Sequence, residues 1–186
     1  MGSEWWDSRV AEIEKRSRSK LQKFGVKSPP VSIRKVAENL GAKVRPSKFK
    51  DEVSGLLTIK EGCPTIGFNA LHPVTRQRFT IAHEVGHLVL HRDESDLFID
   101  RGYSKVFFRD ERSSEGEYER ELEANAFAAS LLMPVRLIEQ EISRRDFDLG
   151  EGDSLDVLAD SFKVSRQAMA YRLANSGIFN SAPDHL

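Results

Sequence analysis

The sequence predicts an α+β fold, with a small antiparallel or mixed sheet packed against helices and a helical part at its C-terminal end. Three observations predict it. Two short β-type runs, Gly55–Lys60 and Thr65–Ala70, flank the turn-forming stretch Glu61-Gly62-Cys63-Pro64. A largely apolar helical pattern runs from Val74 to about His91. Helical periodicity dominates the remainder, on both sides of this centre, which sets helices against a sheet instead of alternating with it.

Taken in order, residues 7–24 read as a charged amphipathic helix with Val10, Ile13, Leu21 and Phe24 as its apolar positions, broken by Pro29 and Pro30. Ser32 to Leu40 reads as a second helix, stopped where Gly41 can serve as a C-cap. Lys43–Arg45 is the first β-type run. After the central helix, residues 92–113 are mixed, and Tyr103–Phe108 is a candidate strand. A helix then opens at Ser114, where Ser114-Glu115-Gly116-Glu117 has the form of a capping box, and runs to about Met133 before Pro134. Two or three shorter helices follow to about Ile178. The expected organisation is a main domain over residues 1–145, a helical module over 146–178 and a frayed tail over 179–186.

Composition narrows the class. The chain has 186 residues with 28 Lys/Arg against 29 Asp/Glu, 39% hydrophobic and 31% charged residues, which suits a soluble domain with one core. No apolar run approaches the roughly 18 residues that a membrane span requires. Met1–Trp6 lacks the basic-then-apolar pattern of a secretory leader, and the single cysteine, Cys63, excludes an internal disulfide framework. The expectation is a cytoplasmic protein without a membrane partner. Residues 1–50 carry 13 Lys/Arg and 5 Asp/Glu, but Glu12 and Glu14 interleave with the bases of the first helix. That pattern reads as a solvated helix face before it reads as a nucleic-acid surface.

The chemistry centres on His83-Glu84-Val85-Gly86-His87. Two histidines four apart on a helix face the same way about one turn apart, so both imidazoles can reach one metal ion. The intervening Glu84 can serve as general base for an attacking water. Ile81, Ala82, Val85, Leu88 and Val89 cover the opposite side, and Phe79 and Leu90 flank the histidines. A helix this apolar is expected to be buried, and burying two imidazoles and a carboxylate is costly unless something such as a metal ion satisfies them. His91 lies eight residues from His83, roughly 12 Å along the axis, too far to share an ion held at about 2.0–2.1 Å. It reads as a helix-terminal residue, with a substrate-facing role as the alternative.

A catalytic zinc usually takes a third protein ligand. The helix after Ser114 offers Glu117, Glu119, Glu121 and Glu123. Glu121 shares a small, apolar stripe with Ala124, Asn125, Ala128 and Leu132, whereas Glu123 sits with Glu119, Ala126 and Ser130 on what reads as an outer, solvated face. Glu121 is therefore preferred over Glu123 as ligand, Glu117 one turn earlier is a competitor, and Asn125 is placed to orient a ligand from behind. Thr65, Ile66, Gly67 and Phe68 form a candidate rim strand, whose free edge could pair with an extended substrate by β-augmentation; the alternative is an ordinary inner strand. His72, His91, Tyr103 and Tyr118 are candidates for stabilising an oxyanion, and Cys63 reads as a turn residue with no thiol-activating arrangement.

Two blocks together, Arg78-Phe79-Thr80-x-Ala82-His83-Glu84-x-Gly86-His87 and Glu121-x-Glu123-Ala124-Asn125-x-Phe127-Ala128-Ala129-x-Leu131-Leu132-Met133-Pro134, resemble the ImmA/IrrE family of metallo-endopeptidases. Arg109-Asp110-x-x-Ser113-Ser114-x-Gly116 is similar to one branch of that family, and the resemblance extends over roughly residues 31–135. It implies a minimal gluzincin-like fold with a bacterial, phage or mobile-element origin. It implies one Zn2+ per chain held by His83, His87 and Glu121, with Glu84 as catalytic base. It also implies a protein substrate, a helix-turn-helix repressor whose cleavage releases stress-response or mobile-element genes.

Residues 155–173 resemble a helix-turn-helix, with Leu158, Phe162, Val164, Ala168 and Leu173 as its apolar positions and Ser165 capping the second helix. A DNA reader would turn Arg166, Gln167 and Arg172 toward a groove. Residues 124–186 carry 6 basic and 9 acidic residues, which opposes duplex binding, so direct nucleic-acid binding is not expected. The expected function is a zinc-dependent endopeptidase acting on a regulatory protein. The alternative is a DNA-binding or partner-sensing regulator whose metal site is structural.

Overall fold

A computed structural model describes residues 3–49, 52–100, 115–145 and 152–178. Helices α1 (Ser3–Lys23) and α2 (Ile33–Asn39) precede β1 (Lys43–Ser47), β2 (Gly55–Lys60) and β3 (Cys63–Asn69). Helix α3 (Val74–Leu90), strand β4 (Leu97–Asp100) and helices α4 (Glu115–Leu132), α5 (Val135–Arg145), α6 (Gly152–Phe162) and α7 (Arg166–Asn175) follow. The α+β expectation holds, and the sheet is mixed. Its order is β1-β3-β2-β4, with β1 parallel to β3 and the other pairs antiparallel.

Strands β2 and β3 form a hairpin closed by only Glu61 and Gly62, with Lys60 opposite Cys63. Both turn residues have positive φ, 50° and 75°, the backbone a two-residue hairpin favours and glycine adopts freely. Cys63 and Pro64 belong to β3 rather than to the turn. Strand β4 lies in the stretch read as mixed; its four residues are too few to show an alternating pattern. The candidate strand Tyr103–Phe108, the capping residue Ser114 and the tail beyond Ile178 lie outside the described residues.

Strand β3 is buried along most of its length because it has a neighbour on each edge. The rim-strand expectation for Thr65, Ile66, Gly67 and Phe68 is thereby corrected. Thr65, Ile66, Gly67 and Phe68 pair with β1 residues 43–46 on one side and with β2 residues 55–58 on the other, leaving no backbone edge for a substrate. Ile66 and Gly67 point to opposite faces and both are buried, the mark of an inner strand.

Helix α3 packs across the sheet and α4 packs against α3, while α1 covers α4 from the far side. Leu57, Ile66, Phe68, Ile81, Val85, Phe127 and Leu131 form the centre of the core. The α3–α4 contact is tight at Gly86, where an added Cβ would lie 3.0 Å from the Ala124 backbone. That proximity sets the carboxylates of α4 beside the histidines of α3. No helix among the described residues is long and apolar enough to cross a membrane.

Candidate metal centre

His83 and Glu84 are neighbours on α3, His87 lies one turn further on, and all three are buried. The Nε2 atoms of the two histidines lie 3.0 Å apart, and the Glu121 carboxylate bridges them, with Oε2 3.2 Å from His83 Nε2 and Oε1 3.2 Å from His87 Nε2. A tetrahedral ion with nitrogen and oxygen ligands at about 2.0–2.2 Å needs ligand atoms roughly 3.3 Å apart. The donor set and its spacing fit such an ion. Among the described residues, His83, His87 and Glu121 are the one group of three potential ligands that converge, all within 4.8 Å of one another.

The electrostatics express the same convergence. Burial opposes a charge on His83, yet its bond to Glu121 and the fields of Glu121, Glu84 and Asp100 raise its pKa to about 9. His87 moves the other way, lowered by burial to about 4 against the pull of Glu121. Burial also disfavours the Glu121 carboxylate, but its two histidine partners hold it below the usual carboxylate range. Glu84 is different. Both its oxygens are buried without a hydrogen-bond partner, and burial raises its pKa well above that of an ordinary carboxylate. Such an orphaned group is costly, and catalytic positions are where such costs are tolerated.

Each imidazole is oriented from behind. His83 Nδ1 lies 2.9 Å from Asn125 Oδ1, the residue expected to orient a ligand. His87 Nδ1 lies 3.1 Å from His91 Nδ1, and the His87 ring stacks on Phe98 of β4 at 4.6 Å between centroids. Phe98 had no sequence signal, since it enters from that short strand. Gly55 of β2 gives Glu84 its room: a Cβ there would lie 2.9 Å from Glu84 Oε1 and 2.3 Å from Thr80 Cγ2.

Glu123 requires a correction. It is not solvated but 7% exposed, accepting bonds from Arg9 of α1 and lying 2.9 Å from His91 Nε2. The reading failed because α4 is covered on two sides, by α3 and by α1, so a wheel with one inner stripe misplaces it. Glu117 is exposed and outside the converging group. His91 is the C-cap of α3, as expected of a helix-terminal residue, but it is buried against His87 and Glu123 instead of facing a cleft. Of the other oxyanion candidates, His72 sits in the turn before α3, Tyr118 is exposed on the first turn of α4, and Tyr103 lies outside the described residues. Cys63 is exposed and unpaired.

Helices α6 and α7 pack against each other across a short turn, and the Ser165 hydroxyl caps α7 by accepting from the Ala168 N–H at 3.1 Å. Arg172, however, is buried, donating to the Met133 carbonyl at 2.9 Å and to Glu14. It cannot serve a groove. Arg166 is exposed and paired with Asp156 of α6, and Gln167 is exposed. Arg78, in the first of the two motif blocks, donates to the carbonyls of Lys163, Phe162 and Val31, so α3 is pinned to the α6–α7 turn.

No curated protein matches the chain in sequence. Among solved structures, one described as a Mycobacterium tuberculosis transcriptional regulator is similar with a TM-score of 0.60 at 16% identity, over 88% of this chain and 46% of its own. That likeness concerns the fold, and the chain spans less than half of that protein's length. The peptidase family described as the IrrE N-terminal-like domain matches residues 37–174, which takes in the sheet, the converging His83, His87 and Glu121 of α3 and α4, and the C-terminal helices. With the converging histidines and glutamate in the middle of the matched region, the chain belongs to the IrrE N-terminal-like domain family of peptidases.

Proposed function

We propose that the chain is a zinc-dependent endopeptidase that cleaves a regulatory protein, a helix-turn-helix repressor, and so releases stress-response or mobile-element genes. The observation that carries this reading is the convergence of His83, His87 and Glu121 beside the buried, unpartnered carboxylate of Glu84. His83, His87 and Glu121 would hold an ion whose chemistry there would be to polarise the scissile carbonyl and acidify the attacking water. Glu84 takes the proton of that water and returns it to the leaving amine, a task suited to a carboxylate whose proton affinity burial has raised. Asn125 and His91 keep the imidazoles turned so that both Nε2 atoms face the Glu121 carboxylate. Phe98 and the α3 core hold bulk water off the inner side of His87.

The second reading is a regulator whose metal is structural and whose C-terminal helices bind DNA or a partner. The α6–α7 geometry and the regulator description of the structural neighbour favour it. The buried Arg172 and the acidic balance of this region oppose its DNA-binding form. Co-incubation of the zinc-loaded chain with a helix-turn-helix repressor encoded beside it, followed by mass spectrometry, separates the two. A discrete cleavage that Glu84→Gln abolishes supports the peptidase. An intact repressor together with salt-sensitive, sequence-selective duplex binding supports the regulator.

A further inference from the structure

His87 offers the centre its Nε2, so in the neutral ring the proton sits on Nδ1, 3.1 Å from His91 Nδ1. Two Nδ1 atoms share one hydrogen bond only if one donates and the other accepts. His87 therefore donates and His91 accepts. The His91 proton is then on Nε2, where it donates to Glu123 Oε2 at 2.9 Å. Glu123 in turn accepts a two-pronged bond from Arg9, with Nε 2.6 Å from Oε1 and Nη2 2.7 Å from Oε2. Every donor and acceptor in this chain of four residues has one consistent direction. His87, His91 and Glu123 are each less than a tenth exposed, so the arrangement is shielded from competing water.

From this geometry we infer that His91, Glu123 and Arg9 are positioning residues for the metal ligand His87, and that helix α1 is thereby part of the metal centre. The inference rests on the metal reading given above. His91 fixes the tautomer of His87 and holds its ring plane against Phe98; Glu123 fixes the tautomer of His91; the guanidinium of Arg9 holds the carboxylate in a bidentate grip that a lysine could not reproduce. Arg9 lies outside the region matched by the family, residues 37–174, so the family match gives this helix no role.

The test uses the full chain, stripped of metal and titrated with cobalt(II), read by its visible d–d absorption, with zinc affinity measured by chelator competition. Arg9→Gln and His91→Ala are each expected to shift the cobalt bands and to weaken zinc by about ten- to a hundredfold. The double variant should be no weaker than His91→Ala alone, because both cut one chain. Lys15→Ala, exposed on the same helix, should leave spectrum and affinity unchanged. Arg9 reaches the ion only through the relay, so a folded Arg9→Gln chain keeps the test sound even if His91→Ala unfolds. An unaltered cobalt spectrum and zinc affinity in folded Arg9→Gln would overturn the relay alone. Failure of the unsubstituted chain to take up cobalt would overturn the metal reading and the relay with it.

Discussion

Glu84 lies next to His83 on α3 but turns toward Gly55 of the sheet, and its carboxylate has no protein partner. Under the proposed function it acts on the attacking water rather than holding the ion, so Glu84→Gln should lower cleavage by about 10²–10⁴-fold while zinc content stays unchanged. Loss of zinc in that variant would make Glu84 a ligand and sink the assignment. A proton balance follows from His83. Carboxylates around it raise its pKa to about 9 despite burial, so at neutral pH the ion must displace a proton to bind. Metal uptake at pH 7 should release about one proton, and affinity should fall as pH drops, by roughly tenfold per unit. Calorimetry in buffers of different ionisation enthalpy measures the release. His83, His87, Glu121 and Asn125 were legible in the sequence because each pair sits one turn apart on a single helix. The Arg9–Glu123 contact joins residues 114 apart, and His91–Glu123 joins residues 32 apart, so no local periodicity could show them.

Elements meet where side chains are small. Gly86 permits the α3–α4 contact because a methyl group there would press on the Ala124 backbone at 3.0 Å, and backbone cannot swing aside. Gly86→Ala should therefore destabilise the fold by about 1–3 kcal/mol. It should also draw Glu121 away from the two histidines and weaken metal binding in the same variant. Full zinc affinity in Gly86→Ala, measured by chelator competition, would show that helix spacing does not set the centre. The small stripe of Ala124 and Ala128 foretold that α4 packs closely on another helix, and it does. The second interface was hidden because the face of Glu119, Glu123 and Ser130 carries polar side chains, although α1 packs on α4 and Arg9 pairs with Glu123 there. The β3 expectation erred differently: Ile66, Gly67 and Phe68 are apolar or small without alternation, which marks a strand covered on both faces. Its parallel partner β1 is supplied by residues some twenty positions earlier, a pairing that local sequence does not encode.

At the scale of the whole molecule, two arginines tie the helical end of the chain to the rest. Arg78 of α3 donates to the carbonyls of Phe162 and Lys163 at the α6–α7 turn. Arg172 of α7 donates to the carbonyl of Met133 and to Glu14 of α1. Helix α1 thus contacts both Glu123 of α4, through Arg9, and the C-terminal helices, through Glu14. A buried guanidinium that loses its place leaves a carboxylate and a carbonyl without their donor, so Arg172→Ala should cost about 3 kcal/mol. For a chain of this length that lowers the melting temperature by roughly 6–12 °C. Arg166→Ala, which removes an exposed pair with Asp156, should change it by little. Because the contacts run from α7 to α1 and from α3 to the α6–α7 turn, the chain should melt in one transition, with the C-terminal helices lost together with the sheet. Scanning calorimetry of the full chain checks this. A separate low-temperature transition that Arg172→Ala leaves untouched would mean that residues 146–178 fold as a module of their own, and that these bonds only decorate its surface.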